Sequence, residues 1–270
     1  MATLRIGVLG CAGRMGQALV RAVGAAPDAD IGGGTEMEGS QWLGRDVGEP
    51  AGIGTTGVTI TDDAEALFKA CDVVLDFTAP AALAEHARLA GKTGTAYVVG
   101  TTGTSLAEDR AVLTAAKRAA IVRSANMSVG VNLLIALTRR AAAALSLNWD
   151  AEVLEMHHRH KVDAPSGTAK ALGHAIAEAR DQVHDKVAVT SREGVTGERR
   201  RGEIGYATLR GGMVAGDHTV IFASERERIE LTHRAASRDI FAEGAVAAAR
   251  WVRGKSPGLY GMADVLGLKD

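Results

Sequence analysis

The 270-residue chain is 46% hydrophobic and 23% charged, with a formal net charge of -1, a balance that supplies no general electrostatic attraction for nucleic acid or a membrane surface. Aromatic residues make up only 4% of it, too few for rows of rings that stack on unpaired bases. The length suits one large domain or two modest ones, and the two cysteines, Cys11 and Cys71, lack CxxC spacing and read as small buried hydrophobes.

Glycines and charges interrupt every apolar run, and no basic leader precedes a long apolar stretch, so the cytoplasm is the expected location. In chain order, short apolar or β-branched runs at 4–9, 72–77 and 95–99 read as buried parallel strands. Alanine- and leucine-rich stretches at 15–25, 79–90 and 106–119 have helical spacing. This alternation predicts an α/β fold, an N-terminal Rossmann-like doubly wound parallel sheet. After about residue 126 the strands crowd together, at 151–156, 187–190, 204–210, 218–224 and 227–233. Helices are expected there at 131–145 and 168–180, giving a second, α+β domain on a mixed or antiparallel sheet. A helical run at 237–252 returns to the first style. The expected domains are 1–127 plus 238–270 for dinucleotide binding, and 128–237 for substrate binding and oligomerisation.

RIGVLGCAGRMGQ at 5–17 runs an apolar strand into Gly10, Gly13 and Gly16, with a helix opening near Arg14. Such glycines allow a tight turn and close backbone approach, placing a pyrophosphate at the helix N-terminus. Glu36, about twenty residues beyond, closes the second strand, where a carboxylate accepts hydrogen bonds from an adenosine ribose. Met37 follows it with no arginine beside it. A ribose 2′-phosphate needs a cation and is repelled by a carboxylate, so NADH is favoured, with NADPH kept open through Arg14 or Arg45. Phe77-Thr78 and Gly100-Thr101-Thr102-Gly103 follow strands, where ligands of open α/β sheets sit.

EMHHRHKVDAPSGTAK, at 155–170, packs His157, His158 and His160 among Arg159 and Lys161. A strand continued through it would put His157, Arg159 and Lys161 on one side and His158 and His160 on the other. HExxH is absent and no cysteine is near, so no metal site is expected. Asp163-Ala164-Pro165 is a turn, Ser166 a good N-cap, and Gly167 and Thr168 then offer backbone N–H groups and a hydroxyl at a positive helix end. That cradle, a lysine and three histidines suit a small dicarboxylate that must also receive a proton. Lys161, set among other cations, is eased toward proton donation.

The same segment resembles the signature of the dihydrodipicolinate reductases, also called 4-hydroxy-tetrahydrodipicolinate reductases. The likeness runs along the chain through GCAGRMG at 10–16, DFTAP at 76–80, VGTTG at 99–103 and ANMSVGVN at 125–132. It continues in SREGVTGERR at 191–200, IGYATLRGG at 204–212 and VAGDHTVIF at 214–222. The resemblance implies an NAD(P)H-dependent enzyme of lysine and diaminopimelate biosynthesis, assembled as a homotetramer on the second domain's sheet. It implies that His157 takes part in proton transfer, that Lys161 donates the proton, and that His158, Gly167 and Thr168 bind substrate. Cofactor contacts then fall on Gly10, Cys11, Ala12, Gly13, Arg14, Met15, Glu36, Gly100, Thr101, Thr102, Ser124, Ala125, Asn126 and Met127. Ser124 and Met127 depart from the alanine and phenylalanine common in relatives. Two other readings fit the Rossmann half: another two-domain oxidoreductase, such as an aspartate dehydrogenase, or a non-catalytic nucleotide sensor. The HHRHK and SGT runs speak against the first, and the presence of both His157 and Lys161 against the second.

Overall fold

A computed structural model describes residues 3–268 of the chain. Two compact units emerge, one ending at Val129 and resuming at Asp239, the other spanning Gly130–Arg238. The first contains β1 (Leu4–Leu9), α1 (Arg14–Gly24), β2 (Ala29–Thr35), α2 (Gly48–Ala51), β3 (Ile60–Thr61) and α3 (Ala64–Ala70). It continues through β4 (Val73–Asp76), α4 (Pro80–Thr93), β5 (Ala96–Val99), α5 (Leu106–Ala115) and β6 (Ala120–Arg123). Then α6 (Val129–Ala144) leads to β7 (Asp150–His157), α7 (Gly167–Ala179), α8 (His184–Val187) and β8 (Ala188–Val189). The second unit ends with β9 (Ile204–Arg210), β10 (Gly216–Ala223) and β11 (Arg228–Ala235); α9 (Asp239–Val252), β12 (Gly258–Tyr260) and α10 (Met262–Val265) belong to the first.

In the first unit the strand order is β12-β6-β5-β4-β1-β2-β3, and all six pairings are parallel. Such strands need helices on both faces, because both faces are apolar. On one side Leu19, Val20 and Val23 of α1 and Ala245, Val246 and Ala249 of α9 pack on Ile6, Val8, Val73 and Leu75. On the other, Phe68, Leu83 and Val112 from α3, α4 and α5 cover Leu9, Val74, Tyr97 and Ile121. The strand order reverses between β1 and β4, leaving a crevice at their carboxyl ends, where ligands of this architecture bind.

Two local differences from expectation have physical causes, and the second strand, expected before Glu36, is built in an unusual way. The helix expected over 106–119 stops at Ala115, and Ala120–Arg123 forms a strand between β5 and β12. Its Ile121-Val122 pair is β-branched and fully buried, so sheet pairing outweighs the alanine-rich propensity before it. The strand expected at 187–190 is only Ala188–Val189, because His184–Val187 first makes one helical turn. And β2 contains three consecutive glycines: a Cβ at Gly33 would lie 2.4 Å from Leu67 Cδ1, and one at Gly34 2.7 Å from Val47 Cγ2. Close packing of neighbours onto the strand, rather than its own side chains, defines it.

The second unit's five-stranded sheet has the order β11-β10-β7-β9-β8. Its β11/β10 and β10/β7 pairs are antiparallel, and β7/β9 and β8/β9 are parallel. One face packs Val153, Tyr206, Val220 and Phe222 against Leu134 of α6 and Leu172 and Ile176 of α7. On the opposite face Leu154, Met156, Ile221 and Leu209 stay partly or largely exposed. Arg192 and Arg199, from the segment between β8 and β9, both ion-pair with Glu152 at one end of that face. Among the described residues, no helix is long and apolar enough to cross a membrane.

Candidate active site

Gly10 stands at the end of β1 with a φ of +62°, a left-handed conformation in which a side chain would be strained. A Cβ on Gly16 would lie 2.0 Å from the Gly10 carbonyl oxygen, so this glycine lets α1 approach the turn. Gly13 caps α1 without a side-chain hydrogen bond, and no acidic residue occupies the first turn. The helix therefore presents N–H groups and a positive dipole end to an anion, a cradle that fits a pyrophosphate. Glu36 Oε1 accepts the Ala12 N–H at 2.8 Å, joining the acidic residue to the glycine turn. Met37 beside it is exposed, and Arg45 is engaged by Glu49 at 2.5 Å and by the Trp42 ring. Arg14 is exposed at the start of α1. Cys11 and Cys71 are buried, and burial pushes their thiols up to about 12 and about 11.

The loops after β4 and β5 share one anchor. Asp76, fully buried at the end of β4, accepts the Thr78 N–H at 2.9 Å and the Thr78 hydroxyl at 2.6 Å. His86 Nδ1 lies 2.8 Å from it, and the Tyr97 hydroxyl donates to it. The Thr101 hydroxyl is 3.5 Å away. Burial opposes the charge, but His86, Thr78 and Tyr97 outweigh it and hold the carboxyl below its usual range. Phe77 packs so closely that a Cβ on Gly100 would lie 2.1 Å from its ring. Gly100 and Thr101 are held in this way, and Thr102 follows them in the loop after β5. Ser124, Ala125, Asn126 and Met127 follow β6, where the Ser124 hydroxyl donates to the Asn126 carbonyl at 2.7 Å and Met127 is buried.

In the second unit, the inward positions of β7 are Ala151, Val153, Glu155 and His157. The strand stops at His157, and residues 158–161 turn: Lys161 N–H bonds the His158 carbonyl, and Arg159 N–H the Gly212 carbonyl. The expected two-sided alternation through Lys161 is therefore corrected, because the backbone leaves the sheet. Glu155, 1% exposed, lies 2.5 Å from His157 Nδ1 and accepts the Ser166 N–H at 3.0 Å. Arg210 binds both its oxygens, at 2.9 and 3.0 Å. Ser166 caps α7 by accepting the Ala169 N–H, and Gly167 and Thr168 form its first turn, with no acidic residue there. Across the turn Lys161 Nζ meets Asp163 at 2.7 Å. The nearest partner of Lys161 is thus a carboxylate two residues on, not the cations expected around it.

Three contributors are absent from the expected set. Arg238 lies 3.2 Å from His158 Nε2. A guanidinium can only donate, so Nε2 accepts and the His158 proton sits on Nδ1. Burial and then Arg238 hold this ring below its ordinary value, which keeps it neutral. His218, directly opposite Glu155 in the sheet, stands 3.2 Å from the Ser166 hydroxyl and edge-on to His157. Arg210 is the third. All three are distant in sequence from the HHRHK run, and only spatial proximity reveals them.

Two family models cover almost the whole chain: dihydrodipicolinate reductase, N-terminus, over residues 4–127, and dihydrodipicolinate reductase, C-terminus, over 130–266. A 4-hydroxy-tetrahydrodipicolinate reductase of Parvibaculum lavamentivorans is 52% identical over 269 residues, 99% of each chain. One from Brucella abortus is 53% identical over 262 residues, covering 97% of this chain and 98% of the relative. The chain belongs to the dihydrodipicolinate reductase family. A solved dipicolinate-bound dihydrodipicolinate reductase from Paenisporosarcina shares the fold with a TM-score of 0.78. It covers 98% of this chain and 100% of its own, at 24% identity. In this family member, no group of three His, Cys, Asp or Glu side chains among the described residues is arranged to hold a metal ion.

Burial, followed by the neighbouring His157, pushes His218 down to about 4. The unfolded chain takes up a proton at this residue near pH 6.5, which the folded chain refuses until about pH 4. Stability should therefore fall on acidification through that window, by up to about 3 kcal/mol from this residue. Urea unfolding at pH 7, 5.5 and 4.5 should show a steeper loss for the native chain than for His218→Gln. Parallel losses would contradict the assignment.

Proposed function

We propose that the chain reduces the dehydrated form of 4-hydroxy-tetrahydrodipicolinate to tetrahydrodipicolinate in lysine and diaminopimelate biosynthesis, in the cytoplasm. The observation that carries this reading is the uncapped-by-acid start of α7 beside His157, His158 and Lys161. It offers an anion cradle and proton-handling groups within one short stretch. Gly167 and Thr168, with His158 and its neighbour Arg238, would grip a substrate carboxylate. Grip at two points fixes the ring and lowers the entropic part of the barrier.

When bound, a reduced nicotinamide supplies the hydride that arrives at C4 of the ring. A proton must then reach the adjacent carbon, and Lys161, assisted by His157, delivers it. The Lys161–Asp163 pair would open as substrate arrives, exchanging one carboxylate for another around the ammonium. The turn Gly10–Met15 would take the pyrophosphate, Glu36 the adenosine ribose, and the loops at 100–102 and 124–127 the nicotinamide end. NADH is the proposed donor in preference to NADPH. In support, Glu36 would repel a 2′-phosphate, Met37 brings no charge, and Arg45 is already paired with Glu49. NADPH use would draw on the exposed Arg14.

We also propose that the second unit assembles the enzyme into a homotetramer through the open face of its sheet, where Leu154, Met156, Leu209 and Ile221 expose apolar surface. Ile221→Glu should sediment as a smaller species, and an unchanged sedimentation coefficient would remove that face from the assembly.

Activity is read by coupling a dihydrodipicolinate synthase to the purified chain and following nicotinamide absorbance. NADH should be oxidised with a higher kcat/KM than NADPH, and Lys161→Ala should lower kcat about 10²-fold or more while NADH affinity changes little. Absence of oxidation would leave a nucleotide sensor, an NADPH advantage would overturn the cofactor preference, and near-normal turnover in Lys161→Ala would remove lysine as donor.

A further inference from the structure

Glu155 has no part in the reaction as outlined, yet four hydrogen bonds from three residues of the second unit's site converge on its carboxylate. As an inward residue two positions before His157 on β7, it shares that ring's side of the sheet. Its Oε2 takes His157 Nδ1 at 2.5 Å and Arg210 at 2.9 Å; its Oε1 takes Ser166 N–H at 3.0 Å and Arg210 at 3.0 Å. Four donors fill the acceptor capacity of one carboxylate.

We propose that Glu155 is a positioning residue: it locks His157 as the Nδ1–H tautomer, leaves Nε2 as its working atom, and ties that orientation to Ser166 at the mouth of the anion cradle. The functional consequence rests on the reductase reading above. An ionised carboxylate only accepts, so the proton of the Glu155–His157 bond belongs to Nδ1. Burial works against that ionised state, but Arg210 and His157, with the Ser166 N–H, outweigh it and keep the carboxyl below its usual range. Arg210 is itself fixed by donating to the Asp163 carbonyl at 2.6 Å, so the clamp is braced from the turn that follows Lys161.

The other groups facing His157 give no competing instruction. From β10, His218 meets the ring edge-on with centroids 5.0 Å apart, and burial keeps it neutral. From β9 comes Arg210, which is committed to Glu155. Lys161 and His158 belong to the turn, and Lys161 is bonded to Asp163. A Cβ at Gly216 would stand 3.0 Å from Nε2, so glycine there keeps a side chain off the working nitrogen. The carboxylate therefore aligns two separate tasks, since a shift of Glu155 would move the imidazole and the Ser166 cap at the mouth of the cradle together.

Substitution by glutamine separates the tasks. In Glu155→Gln the amide oxygen can still accept the Ser166 N–H, while the amide nitrogen presents a proton to Nδ1 and forces the Nε2–H tautomer. The full chain labelled with ¹⁵N-histidine, at a pH where the ring is neutral, reports the tautomer directly, with His157→Asn to identify the signal. The native chain should show Nδ1–H and Glu155→Gln should show Nε2–H. In the variant, kcat should fall at least about tenfold while dipicolinate affinity stays within about threefold. Glu155→Ala should weaken both. A native Nε2–H tautomer, or a Glu155→Gln spectrum identical to the native one, would overturn the proposal. A switch of tautomer in a chain that oxidises no NAD(P)H would uphold the positioning role and reject the reductase reading instead.

Discussion

A carboxylate shut away from water stays charged only when protein donors replace the hydration it has lost, and Glu155 meets that condition with Arg210, His157 and the Ser166 N–H. Much of the second unit's site is arranged to make this arrangement available. The parallel β7/β9 pairing sets Arg210 directly beside His157, and the antiparallel β7/β10 pairing sets His218 opposite Glu155. The turn at 158–165 then brings the start of α7 back over the same carboxylate. Removing the charge would take from the Arg210 guanidinium and the Ser166 N–H the acceptor they share.

The first unit uses the same device for another purpose. Asp76 is buried at a strand end and kept ionised by donors from its own loop, from α4 and from β5. The loops that follow β4 and β5 are pinned to it through Thr78 and Thr101. Loops built around a charged core are costly to displace, so they hold their shape before any ligand arrives. The glycine turn before α1 completes the set by a different means: Gly16 allows backbone to lie where a side chain would clash.

Features whose causes lie within a few residues were legible in the sequence. The strand at Leu4–Leu9, the glycine turn and the Ser166 cap each depend on near neighbours, and so does the crowding of cations at 157–161. Partners distant along the chain were not legible. Glu155 stood at the head of the conspicuous segment without a role, because Arg210 is 55 residues away; Arg238 is 80 from His158. Asp76 could be noticed only as the first residue of the DFTAP motif. The alternation expected through Lys161 failed because a turn, not a strand, follows His157, and Lys161 found Asp163 where cations were expected. In β2, glycines erase the side-chain pattern, and the strand was legible only through the Glu36 that follows it.

The central claim is that the carboxylate of the substrate is gripped where α7 begins, beside the histidine that Glu155 holds. Titrating the ¹⁵N-labelled chain with dipicolinate and following backbone amide and histidine ring shifts tests this most directly. The largest changes should fall on Gly167, Thr168 and the rings of His157 and His158. Saturable binding that leaves those signals still, with changes confined to the first unit, would contradict the account.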